Sequence, residues 1–153
     1  MAWLELKIPP PFVTILAGLL MWVISLFVAP LPVPMVFRVV LAVVLAAVGI
    51  GCIVASFRRF LRAGTTIDPH HPEDASSLIT TGIYGRTRNP IYLGMLTILV
   101  AWALFLMVWP TIVGPIVFVI YITRFQILPE ERSLAEHFGQ AYTDYKATVR
   151  RWL

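Results

Sequence analysis

The chain has 153 residues, 59% of them hydrophobic and only 13% charged. That balance leaves too little polar surface for a soluble domain, and the length suits one compact bundle, a single domain over residues 1–153. The net charge of +4 sits in arginines at the edges of apolar runs, which the positive-inside rule explains, so no nucleic-acid partner is expected.

In chain order, Lys7 and Pro9-Pro10-Pro11 come first, and no small-residue cleavage pattern follows the apolar run after them. A cleavable signal peptide is therefore not expected. Four apolar stretches then run from Phe12 to Ala29, Met35 to Phe57, Ile91 to Trp109 and Thr111 to Leu128. Each is close to the ~20 residues that cross the hydrocarbon core as a helix. Pro30-Leu31-Pro32-Val33-Pro34 allows only a tight turn between the first two, and little more than Pro110 separates the last two, which predicts an antiparallel hairpin. Pro115 falls one turn into the fourth run, as a kink or as part of the first turn. Ala42, Ala46 and Gly49, with Ala47 and Gly51, give the second run small residues suited to close helix contact. Cys52, the only cysteine, lies in the same run, which excludes a disulfide framework and a cysteine metal site.

The turns near Pro32 and Pro110 carry no charge, whereas Arg58, Arg59, Arg62, Arg86 and Arg88 lie between the second and third runs. Arg124 lies near the end of the fourth, and Arg132, Lys146, Arg150 and Arg151 follow it. Both basic segments and both termini are thus expected in the cytoplasm, with the protein in an inner membrane of bacterial type. Leu134, Phe138, Tyr142, Tyr145, Val149 and Trp152 recur at steps of three or four, one stripe of an amphipathic tail helix that Gly139 weakens. The fold class expected is all-α, a polytopic membrane protein with about four transmembrane helices and a C-terminal amphipathic helix.

All eight acidic residues lie outside the four apolar runs, a poor match to proton-coupled exporters. Arg38 and Arg124 sit near run ends, where long side chains snorkel to the interface. His70 and His71 are adjacent and point apart in most backbones, with no further ligand at useful spacing, so no metal site is expected. Gly49-x-Gly51 lacks the third glycine of a dinucleotide fingerprint, because Val54 stands there. Two polar segments exceed what anchoring needs: Thr81 to Gly94, with Asn89-Pro90 as a helix start, and Pro129-Glu130-Glu131-Arg132. A hairpin of the last two runs brings them to one membrane face as a polar pocket.

Gly82-x-Tyr84, Arg88-Asn89-Pro90-x-Tyr92-x-Gly94, Glu130-Glu131-x-x-Leu134 and Phe138-Gly139-x-x-Tyr142-x-x-Tyr145 together resemble the isoprenylcysteine carboxyl methyltransferase family. That family belongs to a wider group that includes phospholipid methyltransferases, and the resemblance covers roughly residues 58 to 152. It implies an S-adenosylmethionine-dependent membrane methyltransferase without a Rossmann fold. Carried over by position, Tyr84, Asn89, Pro90, Ile91, Tyr92 and Glu130 would contact the cofactor, with Ser76, Ser77, Leu78 and Ile79 lining its pocket. Arg88, Arg124 and Glu131 are the residues expected to act at the reaction itself. Asn89 stands where eukaryotic members carry histidine, as in many bacterial relatives. Gln126 stands where those enzymes carry a substrate-binding arginine, and Arg124 is the nearest cation, so these two are expected at the acceptor. That departure weakens the case for a prenylcysteine substrate and leaves the cofactor inference in place.

Methyl transfer from a sulfonium is an in-line displacement, which asks mainly for alignment and electrostatics. The implied acceptor is lipophilic and enters from the membrane lipids, with a carboxylate, already ionised near neutral pH, among the candidates. The alternatives are a phospholipid or amine N-methyltransferase, a nicotinamide-dependent reductase-like protein, and a non-catalytic relative.

Overall fold

Prolines and left-handed residues set the helix boundaries. In a computed structural model, which describes residues 5–64 and 77–153, Pro9 precedes helix α1 (Pro10–Ser25) and Pro34 precedes α2 (Met35–Ala63). Gly64, at φ +63, ends α2 in the left-handed conformation that glycine adopts without a Cβ clash. Pro90 opens α3 (Pro90–Leu106), where its missing N–H has no helical partner to lose, and Met107 ends that helix at φ 53. A 3₁₀ turn (Trp109–Ile112) leads into α4 (Val113–Ile122), whose first turn accommodates Pro115. A π-turn (Thr123–Ile127) then passes without a break into α5 (Leu128–Phe138). Gly139 separates α5 from α6 (Gln140–Thr148). No strand occurs among the described residues. His70, His71 and Ser76 lie outside them.

Two helical runs are long and apolar enough to cross a membrane, Met35–Ala63 with 29 residues and Trp109–Phe138 with 30. That is fewer than the four expected spans. The other two apolar helices, α1 with 16 residues and α3 with 17, rise only ~24–26 Å against a ~30 Å core. The first begins two residues before its apolar run and stops at Ser25, four short of that run's end, and Pro90 and Met107 bound the second. Leu19 and Trp22 of α1, Val36, Val40, Val43 and Ile50 of α2, and Ile116 and Ile120 of α4 face outward and are exposed. An apolar surface on this scale suits lipid.

Met21, Leu99, Phe118, Ile122 and Ile127 form the buried core where α1, α3 and the α4–α5 rod meet. The expected hairpin of the last two runs is wedged open, because α1 packs on both α3 and α4, while the most extensive partner of α3 is α2. The end of the α2–α3 pairing where α2 begins and α3 stops is tied as well. The Leu31 N–H donates to Met107 O at 2.8 Å. Arg38, expected to snorkel, instead donates through Nε to Phe105 O at 2.9 Å and through Nη2 to Leu106 O at 2.7 Å. It thereby caps carbonyls that the end of α3 leaves free.

The tail departs from the single amphipathic helix expected. Gly139, at φ 54 and ψ −123, takes a backbone conformation essentially closed to other residues and breaks the stripe in two. Tyr142 and Tyr145 are buried, Leu134 and Phe138 half-buried. After Thr148 the chain extends (Val149 at φ −118, ψ 132) and runs back as a strap whose Trp152 packs against the core.

The crossing of α2 and α3 rests on two glycines. A Cβ on Gly94 would lie 2.6 Å from Gly49 O, and one on Gly49 would lie 2.7 Å from Gly94 O. Gly49→Ala and Gly94→Ala are each expected to lower stability in detergent by ~1–3 kcal/mol, the usual cost of overpacking. Gly51→Ala, with nothing within 4 Å of its added methyl, should leave the melting temperature unchanged or slightly raised.

Candidate functional site

At the pole of the bundle where α3 begins, three segments meet: residues 84–92, the π-turn with the start of α5, and the C-terminal strap. The strap docks by backbone geometry first. The Arg88 N–H donates to Arg150 O at 3.0 Å, and Thr87 Oγ1 to Arg151 O at 3.2 Å. Asn89 occupies the N-cap position of α3, but its side chain does not cap that helix; Nδ2 donates to Arg151 O at 3.0 Å instead.

Glu131 lies beneath this strap. Arg151 grips its carboxylate with two bonds, Nε to Oε1 at 2.9 Å and Nη2 to Oε2 at 2.8 Å. Arg88 Nη2 adds a bond to Oε1 at 2.8 Å, and Lys146 Nζ stands 3.7 Å from Oε2. Planar guanidinium forks match carboxylate geometry, which makes such charge-assisted pairs short and strong. The carboxylate in turn holds the Arg151 guanidinium above its usual value. Arg88 also donates through Nη1 to Val149 O at 2.7 Å and Lys146 O at 3.0 Å, satisfying carbonyls at the end of α6. Glu131 and Arg88 are both nearly enclosed, with side chains 7% and 8% exposed.

One position earlier, Glu130 takes a different environment. Its Oε1 accepts from the Tyr92 hydroxyl and from Gln126 Nε2, the latter at 2.8 Å. Tyr92 lies in the first turn of α3 and Gln126 in the π-turn, so this half-buried carboxylate bridges the two helices. Neighbouring glutamates thus divide their tasks. Glu131 is saturated by cations, whereas the partners of Glu130 shown here are neutral donors, which leaves its negative charge uncompensated by them.

Tyr84, buried in a 3₁₀ turn (Gly82–Gly85), stands beside this site. Its carbonyl accepts the Tyr145 hydroxyl at 2.7 Å, and its ring meets Phe60 edge-on. Its own hydroxyl is paired with Ser56, and burial pushes it well above the usual phenol value. A pocket of about 270 Å³ is lined by Arg59, Arg62, Ala63 and residues 77–81.

The structure therefore brings together Asn89, Pro90, Tyr92, Gln126 and Glu130, with Tyr84 and Ile91 adjoining, and sets Arg88 and Glu131 in the ion cluster beside them. Ser77, Leu78 and Ile79 line the separate basic pocket. Arg124 is apart: its exposed side chain faces Glu5 at 3.8 Å, and Glu5 also pairs with Arg132. Reading the sequence missed Arg151 and Lys146, which it counted only as basic tail residues. The signal available was Trp152, an apolar residue on the tail stripe, which points to a C-terminus lying against the protein without saying which arginine pairs.

The sequence profile of the family described as phospholipid methyltransferase matches residues 37–141, from the first turn of α2 into α6. An uncharacterized protein of Haemophilus influenzae is 46% identical over 66 residues, which is 41% of this chain and 100% of that protein. No solved structure matches.

Removing one partner of an enclosed ion cluster leaves the others uncompensated, at a cost of ~3–5 kcal/mol. Glu131→Gln is accordingly expected to lower the melting temperature strongly and to expose the strap to carboxypeptidase. Arg124→Ala, at an exposed pair, should change stability by no more than ~1 kcal/mol.

Proposed function

The chain belongs to the phospholipid methyltransferase family, and on that premise we propose that it is a membrane methyltransferase that uses S-adenosylmethionine and acts on a lipophilic acceptor. The observation that carries this reading is the Glu130 carboxylate, fixed by Tyr92 and Gln126 where the first turn of α3 meets the π-turn. The cofactor is a sulfonium with an ammonium at one end, and a preset carboxylate with neutral partners is what such a cation needs. Asn89, Pro90, Ile91, Tyr92 and Tyr84 form the rest of its cradle, and Ser77, Leu78 and Ile79 are assigned to its outer lining. Gln126 serves the acceptor; Arg124, which faces Glu5 away from these residues, is given no part in it.

The cofactor supplies the methyl group and the positive charge that makes sulfur a good leaving group. The task of this chain is to align and to exclude water. Glu130 orients the cation, buried Tyr92 and Tyr84 wall the site, and the Arg88–Glu131–Arg151 cluster keeps α3, α5 and the strap in register. Glu131 and Arg88 act here by positioning. The acceptor enters sideways from the lipid, between helices whose outer faces are apolar.

In this reading α1 and α3 also cross the membrane together with their flanking residues, and both termini are cytoplasmic. A second acceptor class, the amine of a phospholipid head group, is favoured by the family match itself. An amine must lose a proton before attack, so the rate for it climbs with pH through the amine pKa, whereas a carboxylate acceptor gives a flat profile near neutrality.

Glu130→Gln is expected to weaken S-adenosylmethionine binding roughly ten- to a hundredfold by calorimetric titration, the loss of one charge-assisted contact. Binding as tight as the parent's, in a folded variant, would refute the proposed pocket. For topology, a cysteine at Pro32 should react with an impermeant reagent outside intact cells and one at Gln140 should not; the reverse pattern would invert the orientation.

A further inference from the structure

The segment that leads into α1 is fastened to the π-turn from outside. An α-helix would offer Phe125 O the N–H of residue 129, but that residue is proline and has none. The Leu6 N–H supplies the missing donor, at 3.0 Å. Leu6 stands at φ 58, a left-handed conformation that leucine keeps only where surrounding contacts impose it. Beside it, the Glu5 carboxylate faces Arg124 of the turn at 3.8 Å and pairs with Arg132 of α5. The Glu5 side chain is 18% exposed, against 53% and 55% for the two arginines, so the carboxylate is clasped while both cations stay open to water. Residues 5 and 6 thus straddle the junction of π-turn and α5 with one backbone bond and two ion pairs. The same stretch of helix carries Gln126 and Glu130 to Tyr92.

We infer that Glu5 and Leu6 are positioning residues for the Glu130 site, a hook that holds the π-turn where Gln126 and Glu130 meet Tyr92. A carboxylate that must reach a hydroxyl on another helix depends on the height and rotation of the turn beneath it. Pro129 keeps this turn from closing its own ladder of bonds, so Phe125 O has to take its donor from elsewhere. The hook gives that donor and fixes the outer side of the turn through Arg124, while Arg132 fixes the start of α5. Exposed ion pairs add little to overall stability, so the hook bears on where the turn sits and not on whether the chain folds. The inference rests on the proposed cofactor reading for what the site binds, and on this geometry alone for what the hook holds.

The test uses the full-length protein in detergent and two readouts. One is backbone hydrogen exchange without ligand, and the other is calorimetric titration with S-adenosylmethionine. Glu5→Ala should speed exchange across residues 123–131 and leave α3 at the parent's rate. It should also weaken the cofactor roughly threefold to tenfold, with little change in melting temperature. Arg132→Ala should do the same, as the other half of the pair. Leu6→Pro removes the N–H and cannot adopt the positive φ, so it should weaken binding at least as much. Leu6→Gly keeps the donor and suits the backbone, and should bind like the parent even where loss of the side chain lowers the melting temperature. In the Glu130→Gln background, Glu5→Ala should cost no further affinity, because the hook acts through that carboxylate. Lys7→Ala changes the charge of the same segment and should move neither readout. Faster exchange throughout the protein, or equal affinity losses for Leu6→Gly and Leu6→Pro, would reduce the hook to general stability and overturn the proposal. Parent-like binding by both Glu5→Ala and Leu6→Pro would overturn it as well. If the parent binds no S-adenosylmethionine, the cofactor reading fails, and the exchange pattern alone decides whether the hook holds the turn.

Discussion

A nearly enclosed carboxylate organises the polar end of this protein. Glu131 cannot lie there unpaired, because desolvating a charge costs several kcal/mol unless opposite charges and donors surround it. Two arginines far apart in sequence, Arg88 and Arg151, supply them, and Lys146 adds a third cation. Meeting that requirement ties the start of α3, the start of α5 and the C-terminal strap to one point. Everything nearby inherits its position from this knot. Asn89 and Thr87 are held by the strap's carbonyl, Tyr145 reaches Tyr84, and Glu130 is delivered one residue away to Tyr92.

Along the apolar faces of the helices the means are different. No hydrophobic force draws two helices together inside lipid, so contact depends on how closely backbones approach. Gly49 and Gly94 allow that approach between the middle of α2 and the start of α3, and Arg38 caps the far end of α3. The long helix and the short one thus form a rigid pair. The polar pole can hold a precise arrangement because the apolar part beneath it does not shear.

Features encoded locally were legible in the sequence. Asn89-Pro90 starts a helix because proline is at home at the first helical position, and Gly139 marks the break in the tail. The approach of the Asn89–Tyr92 segment to Glu130 followed from the family motifs and the short connection at Pro110, even though α1 intervenes lower down. Long-range pairing was not legible. Nothing near Arg151 tells that it, and not Arg150, finds Glu131, because both look like ordinary positive-inside charges. The end of α3 was placed too late, since its apolar run continues to Trp109, past Met107, where a left-handed backbone stops the helix. Neighbouring Glu130 and Glu131 are chemically identical in sequence, and only their surroundings divide them.

The π-turn at Thr123–Ile127 carries a consequence for how such a site can arise and be lost. A π-turn is one residue more than an α-helix needs for the same advance, so it behaves as a single-residue insertion absorbed within a helix. Each residue of α-helix turns the chain by about 100°. An extra residue in a regular helix would swing Glu130 and Glu131 round the axis by that angle, away from Tyr92 and Arg88, whereas one taken up as a π-turn leaves them in register and displaces only the residues of the turn, Gln126 among them. A one-codon deletion among residues 123–127 would therefore spare the place of both glutamates and remove or shift the amide beside Glu130. Divergence among relatives of this protein is to be followed by alignment gaps in this turn as well as by the glutamates after it.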